Sequence, residues 1–127
     1  MAPALTFDTG ALIGLERLRH RMRKVFDTAV HDGVVMTVPA VVLLEWWRGG
    51  QGSRQREQIL RSLRVEPLVE RVAKLAAEAM SQVAGSTPVD AVVMASAALR
   101  GDVVYTSDFA DLDRLRAFFP NVRVLSA

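Results

Sequence analysis

The sequence predicts an α/β domain built on a central, mainly parallel β-sheet of about five strands. Short β-branched runs alternate with longer stretches of helical periodicity from one end of the chain to the other, as expected of strands joined by crossover helices. A length of 127 residues suits one domain, residues 1–127, with one hydrophobic core. Half of the residues are apolar, slightly rich for a soluble domain and a hint of an apolar surface used for self-association.

The first strand is expected from Leu5 to Asp8. A helical region follows through about His31, with Leu12, Leu15, Leu18, Met22, Val25 and Val30 near helical spacing, and Asp32-Gly33 closes it. Val34 to Val38 reads as the second strand. Pro39 then suits a first helical position for a segment carrying Val42, Leu43, Glu45 and Trp46, which Gly49, Gly50 and Gly52 end. Ser53 is a candidate cap for a helix reaching about Leu63. Val65 to Leu68 makes a short strand before an Ala-rich helix from Val69 to about Val83. After Gly85-Ser86, Thr87 as cap, Pro88 as first residue and Asp90 as third mark a helix start, and Gly101 ends that helix. Asp102 to Thr106 is the next strand, Asp108 to about Phe119 the next helix, and Val122 to Leu125 the last strand, with Pro120-Asn121 between them.

Composition excludes several kinds of chemistry. There are no cysteines, so there is no disulfide framework, thiolate metal site or cysteine nucleophile, and a reducing cytoplasm is the expected compartment. No apolar stretch approaches the roughly 20 residues that span a bilayer, and no basic-then-apolar leader precedes Asp8. The chain is expected to be soluble, with no membrane partner. Net charge is only +2, yet fourteen arginines stand against two lysines, clustered as Arg17, Arg19, Arg21, Arg23 and Lys24, then Arg48, Arg54, Arg56, Arg61 and Arg64. Guanidinium forks match phosphate geometry. Arg17, Arg48 and Arg54 are therefore candidates to contact a polyanion, although a solvated basic surface has the same composition.

In a parallel sheet, ligands collect where the carboxyl ends of strands turn into helices. Asp8 ends the first strand, Asp108 follows the strand ending at Thr106, and Asp90 opens the helix before that strand. Glu45 lies within the helix after the second strand. Taken singly, Asp8 and Asp108 read as helix caps, and Asp90 and Asp111 as capping-box partners. Glu45 fits that account poorly, since an acid inside Val-Val-Leu-Leu-Glu-Trp-Trp is costly to bury unpaired, and Arg48 one turn later is a candidate partner. Taken together, gathered carboxylates repel and call for a cation. All-oxygen donors favour magnesium, with manganese able to substitute. Such an ion orients a water and stabilises charge on a phosphate during in-line displacement. Asp8, Glu45, Asp90 and Asp108 are the acids that such an ion would draw together.

Phe-Asp-Thr-Gly-Ala-Leu-Ile at 7–13, Val-Leu-Leu-Glu at 42–45, Val-Asp-Ala-Val-Val-Met-Ala at 89–95 and Tyr-Thr-Ser-Asp-Phe-Ala-Asp-Leu at 105–112 resemble the successive motifs of PIN domains, in order and across essentially the whole chain. The length resembles in particular the VapC toxins of toxin–antitoxin pairs. The resemblance implies a three-layer α/β/α sandwich and a metal site of Asp8, Glu45, Asp90 and Asp108, with Asp111 as a further contributor and Thr9 and Thr106 in support. It also implies magnesium-dependent endonucleolytic cleavage of RNA, a homodimer, and inhibition by a cognate VapB-like antitoxin. One departure is Phe109-Ala110, where the family often has a more polar or proline-containing turn.

Other readings fail on particular residues. A haloacid-dehalogenase-type phosphatase needs a second aspartate where Gly10 stands, a receiver domain needs adjacent acids and a late lysine, and no glycine-rich phosphate loop is present. A PIN-like module that binds RNA or a partner without cutting is the alternative from another class, and the intact acids speak against it. Trp46 and Trp47 cannot both face one core, so one is expected to be partly exposed, as edge packing or, on the sharper reading, as a subunit or antitoxin contact. His20 and His31 read as surface residues.

Overall fold

A computed structural model describes residues 3–127 of the chain. Five strands, β1 (Leu5–Phe7), β2 (Met36–Pro39), β3 (Arg64–Glu66), β4 (Val103–Thr106) and β5 (Arg123–Ser126), form one sheet in the order β3-β2-β1-β4-β5. Every pairing is parallel, with Thr6 opposite both Thr37 and Val104. The helices are α1 (Thr9–Glu16), α2 (His20–Asp32), α3 (Leu43–Trp46), α4 (Ser53–Arg61), α5 (Glu70–Gln82), α6 (Pro88–Arg100) and α7 (Phe109–Leu115). From β1 the chain winds outward through β2 to β3, then crosses back to β4 and β5. Right-handed crossovers in opposite directions put α1 to α4 on one face and α5 to α7 on the other. The packing agrees, since α1 touches α2, α3 and α4 while α6 touches α5 and α7. The three-layer α/β/α arrangement expected from the sequence is the one observed. No helix among the described residues is long and apolar enough to cross a membrane.

Helix α6 shows how sequence sets position. The Thr87 side chain accepts from the Asp90 backbone N–H, Pro88 opens the helix, and Gly101 closes it at φ 76°, a left-handed conformation that glycine adopts without a Cβ clash. Residues Ala91 to Ala97 are all buried, so α6 is a central helix covered on all sides. It crosses β1, β2 and β4, and its first turn delivers Asp90 to the carboxyl edge of the sheet. Below it, Asp102, 4 % exposed, accepts from Thr6 Oγ1 at 2.8 Å and Arg100 Nε at 2.8 Å. Arg100 also reaches Thr6, Ser96 and Glu66, and Ser96 Oγ donates to Glu66 at 2.6 Å.

Three local expectations are corrected. The first helical region is two helices that pack against each other. They are broken at Leu18, whose φ of 55° is left-handed, with Arg19 N–H closing on the Gly14 carbonyl at 2.9 Å. Leu18 and Val30, counted in one apolar stripe, are consequently exposed at 62 % and 52 %. Pro39 does not begin a helix. It is paired with Glu66 as the last residue of β2, and a 3₁₀ turn at Ala40–Val42 precedes α3. The ring fixes φ at a value shared by extended and helical backbone, so the pairing decides. Ser53 is the first residue of α4, and Gly52 at φ 87° stands before it.

Removing the carboxylate of Asp102 leaves the buried Thr6 hydroxyl without its acceptor, while the partly buried Arg100 keeps Glu66. Asp102→Ala is expected to lower stability by about 1–3 kcal/mol in urea unfolding, as for other buried polar groups left unsatisfied.

Candidate active site

Strands β1 and β4 lie side by side, and the connections that leave them run in opposite directions, which opens a crevice at their carboxyl ends. Asp8 follows β1 and Asp108 follows β4. Asp8 is buried at 4 % exposure. It caps α1 by accepting from the Ala11 backbone N–H at 2.9 Å, and its other oxygen accepts from the Thr106 hydroxyl. Thr106, fully buried, also accepts from the Asp108 backbone N–H at 2.8 Å. One hydroxyl thus ties the two acid-bearing turns together.

Glu45 is exposed on α3, where Thr9 Oγ1 donates to it at 2.6 Å. The pairing of Glu45 with Arg48 that the sequence left open is not made. Arg48 turns instead to Glu16 at 3.1 Å, because the one-turn α3 ends at Trp46 and Trp47 is extended, which takes Arg48 off the helix. Trp46 is fully buried and Trp47 partly so. Asp90 is half-buried and Asp108 exposed. Asp111 is half-buried and paired with Arg114 at 2.6 Å.

The acids feel one another. Burial pushes the Asp8 carboxyl up from 3.8 to about 6; hydrogen bonds from Thr106 and Ala11 oppose this, and the charges of Asp90 and Asp108 add to it. Asp90 is also raised, first by burial, with the Thr87 hydrogen bond opposing and the charges of Asp111, Asp108 and Glu45 contributing. All five candidate acids therefore lie within one electrostatic neighbourhood. They do not meet at one point: among the described residues no three His, Cys, Asp or Glu side chains are gathered closely enough to hold a metal ion together. Glu45 is turned to Thr9 and Asp111 to Arg114. A cleft of about 580 Å³ beneath α2, lined by residues such as Leu5, Arg21, Lys24, Tyr105 and Arg123, contains none of the acids.

Of the candidate phosphate contacts, Arg17 and Arg54 are exposed and make no ion pair among the described residues, whereas Arg48 is committed to Glu16. Arg56, counted with the basic cluster, is buried at 4 % exposure and bound to Glu16. His20 and His31 are both exposed.

Gly10 escaped the sequence reading as a structural requirement. A Cβ at this position would stand 1.7 Å from Ser107 Oγ, 2.6 Å from its Cβ and 3.1 Å from its backbone N, so only glycine lets the first turn of α1 touch the loop that carries Asp108. The signal was its place one residue beyond Asp8-Thr9; its partner lies in the last motif. Gly10→Ala is expected to push that loop away and cost about 1–3 kcal/mol in urea unfolding.

The raised Asp8 carboxyl has a definite sign for stability. Its contribution is complete below the unfolded value of 3.8 and is lost as pH rises through about 6, a change of about 3 kcal/mol for a shift of this size. In EDTA the protein is therefore expected to be less stable at pH 7.5 than at pH 5, and Asp8→Asn to reduce that difference, measured by urea unfolding at both pH values.

The PIN domain family model matches residues 5–117. No curated protein matches the sequence significantly. Among solved structures, the chain resembles DNA-bound VapBC from Salmonella typhimurium (17 % identity, 98 % of each chain, TM-score 0.77). It also resembles VapBC2 from Rickettsia felis bound to a promoter DNA fragment (11 % identity, 98 % of each chain, TM-score 0.77). A third similar structure is a toxin–antitoxin complex from Klebsiella pneumoniae (18 % identity, 96 % of each chain, TM-score 0.72). At these identities the likeness is one of fold. With a family match that runs from β1 through α7, the chain belongs to the PIN-domain family.

Proposed function

We propose that this PIN-domain protein is a magnesium-dependent endoribonuclease and the toxin of a VapBC-type pair, active in the cytoplasm as a homodimer and held in check by a VapB-like antitoxin. The observation that carries the reading is the gathering of Asp8, Asp90, Asp108, Asp111 and Glu45 at the carboxyl edge of the sheet, where burial first, and the charges of neighbouring acids second, raise the carboxyls of Asp8 and Asp90. Family membership supports nuclease chemistry, and the likeness to VapBC complexes supports the toxin role.

The donor set fits a hard cation, being all oxygen and mutually repelling. Magnesium keeps several of its waters and is commonly bound through one or two carboxylates, so the spread of the acids suits it, and manganese substitutes by the same chemistry. Asp8, Asp90 and Asp108 would hold it directly or through water, with Asp111 at the margin. When bound, the ion supplies positive charge for the acids and for the phosphate being attacked. Thr106 fixes the Asp8 carboxylate and the Asp108 turn. Glu45, exposed and oriented by Thr9, positions the water that attacks phosphorus and takes its proton as the bridging P–O bond breaks, and the departing oxygen takes a proton from solvent. Arg17 and Arg54 contact the RNA backbone.

The test is cleavage of single-stranded and structured RNAs with magnesium or EDTA. Asp8→Asn, Asp90→Asn and Glu45→Gln are each expected to lower cleavage by at least about 100-fold while the protein stays folded. Two of them cutting at the wild-type rate would overturn the assignment. For Arg17 and Arg54, affinity for RNA is expected to fall steeply with salt, and each Arg→Gln variant to flatten that slope by about one unit.

A further inference from the structure

We infer that Glu16 is a positioning residue for Glu45, acting through Trp46; the inference rests on the functional reading above. Helix α3 has four residues, far too few to hold a helical turn by backbone bonds alone. Its direction is set by what its side chains grip. Trp46 is fully buried, and its indole Nε1 donates to Glu16 Oε1 at 3.1 Å. The preceding residue, Glu45, points about 100° around the helix, outward to Thr9 Oγ1 at 2.6 Å. Thr9 and Glu16 are the first and last residues of α1, so one helix grips α3 at two places.

The grip at Glu16 is heavily built. Its Oε2 accepts from Arg48 Nη2 at 3.1 Å and from Arg56 Nη2 and Nε at 2.9 and 3.2 Å, and its backbone carbonyl accepts from Gln55 Nε2 at 2.8 Å. The Arg56 side chain is 4 % exposed. Burying a guanidinium gains little stability over well-packed apolar side chains, whereas its fork aims a carboxylate in one direction. Here that direction presents Oε1 to the indole. Loss of the Glu16 charge lets α3 rotate or shift, and misplacement of a catalytic group by about 1 Å costs on the order of 100-fold in rate.

Glu16→Gln keeps the side chain's shape and removes the charge. With single-stranded RNA and magnesium it is expected to lower kcat by at least about tenfold while KM stays within about twofold. In a Glu45→Gln background the same substitution is expected to cost less than about twofold, because the group it positions is already gone. Equal losses in both backgrounds, or no loss in the first, would overturn the inference. Trp46→Phe, which keeps the buried ring and removes the N–H, and Arg48→Gln at the exposed rim serve as second variants if Glu16→Gln does not fold; each is expected to show the same dependence on Glu45. A readout free of activity is hydrogen exchange: in Glu16→Gln the amides of residues 43–47 are expected to exchange at least about tenfold faster, with those of Thr6 and Val104 little changed. If the wild-type chain cuts no RNA, the ribonuclease reading falls, and unaltered exchange at residues 43–47 would then refute the positioning role on its own.

Discussion

The Thr106 hydroxyl links β1 to β4 at the point on which the site depends. It donates to Asp8 and accepts from the Asp108 backbone, so two acids separated by a hundred residues of sequence share one buried polar atom. Switch-point topology brings the strand ends together, and this hydrogen bond sets how the acids face. Gly10 completes the approach, since its lack of a side chain lets α1 rest against Ser107.

The same arrangement works against stability. Asp8 is placed where water is largely excluded and where Asp90 and Asp108 repel it, and a domain built only to be stable would have no reason to bury it. The rest of the fold offsets the cost. Helix α6 is enclosed from Ala91 to Ala97, and the Arg100–Asp102–Thr6–Glu66 network ties its far end to the sheet. Asp90 thus enters the crevice on a rigid element, while Glu45 enters on a single helical turn held from outside.

Helix α1 connects these parts. Its cap is Asp8, its first residue orients Glu45, and its last residue grips Trp46. Arginines that looked like one basic surface divide accordingly: Arg56 and Arg48 neutralise Glu16, and Arg17 and Arg54 remain at the surface.

Much was legible locally. Short β-branched runs between helical patterns located all five strands to within a few residues, Thr87-Pro88 and Gly101 marked both ends of α6, and the motif aspartates fell at strand ends and helix starts, because capping, periodicity and glycine geometry act over a few residues. The break at Leu18 was not legible, since the apolar spacing runs across it and only packing of α1 on α2 separates the two helices. Nor was the role of Glu16, whose partners Trp46 and Arg56 lie 30 and 40 residues away, or the choice of Arg48 between Glu45 and Glu16. By itself the sequence determined the order of elements and which acids belong to the motifs. The tertiary structure decided which side chains share charge and which hydroxyl orients each, because those energies depend on distances between segments that local propensity does not encode.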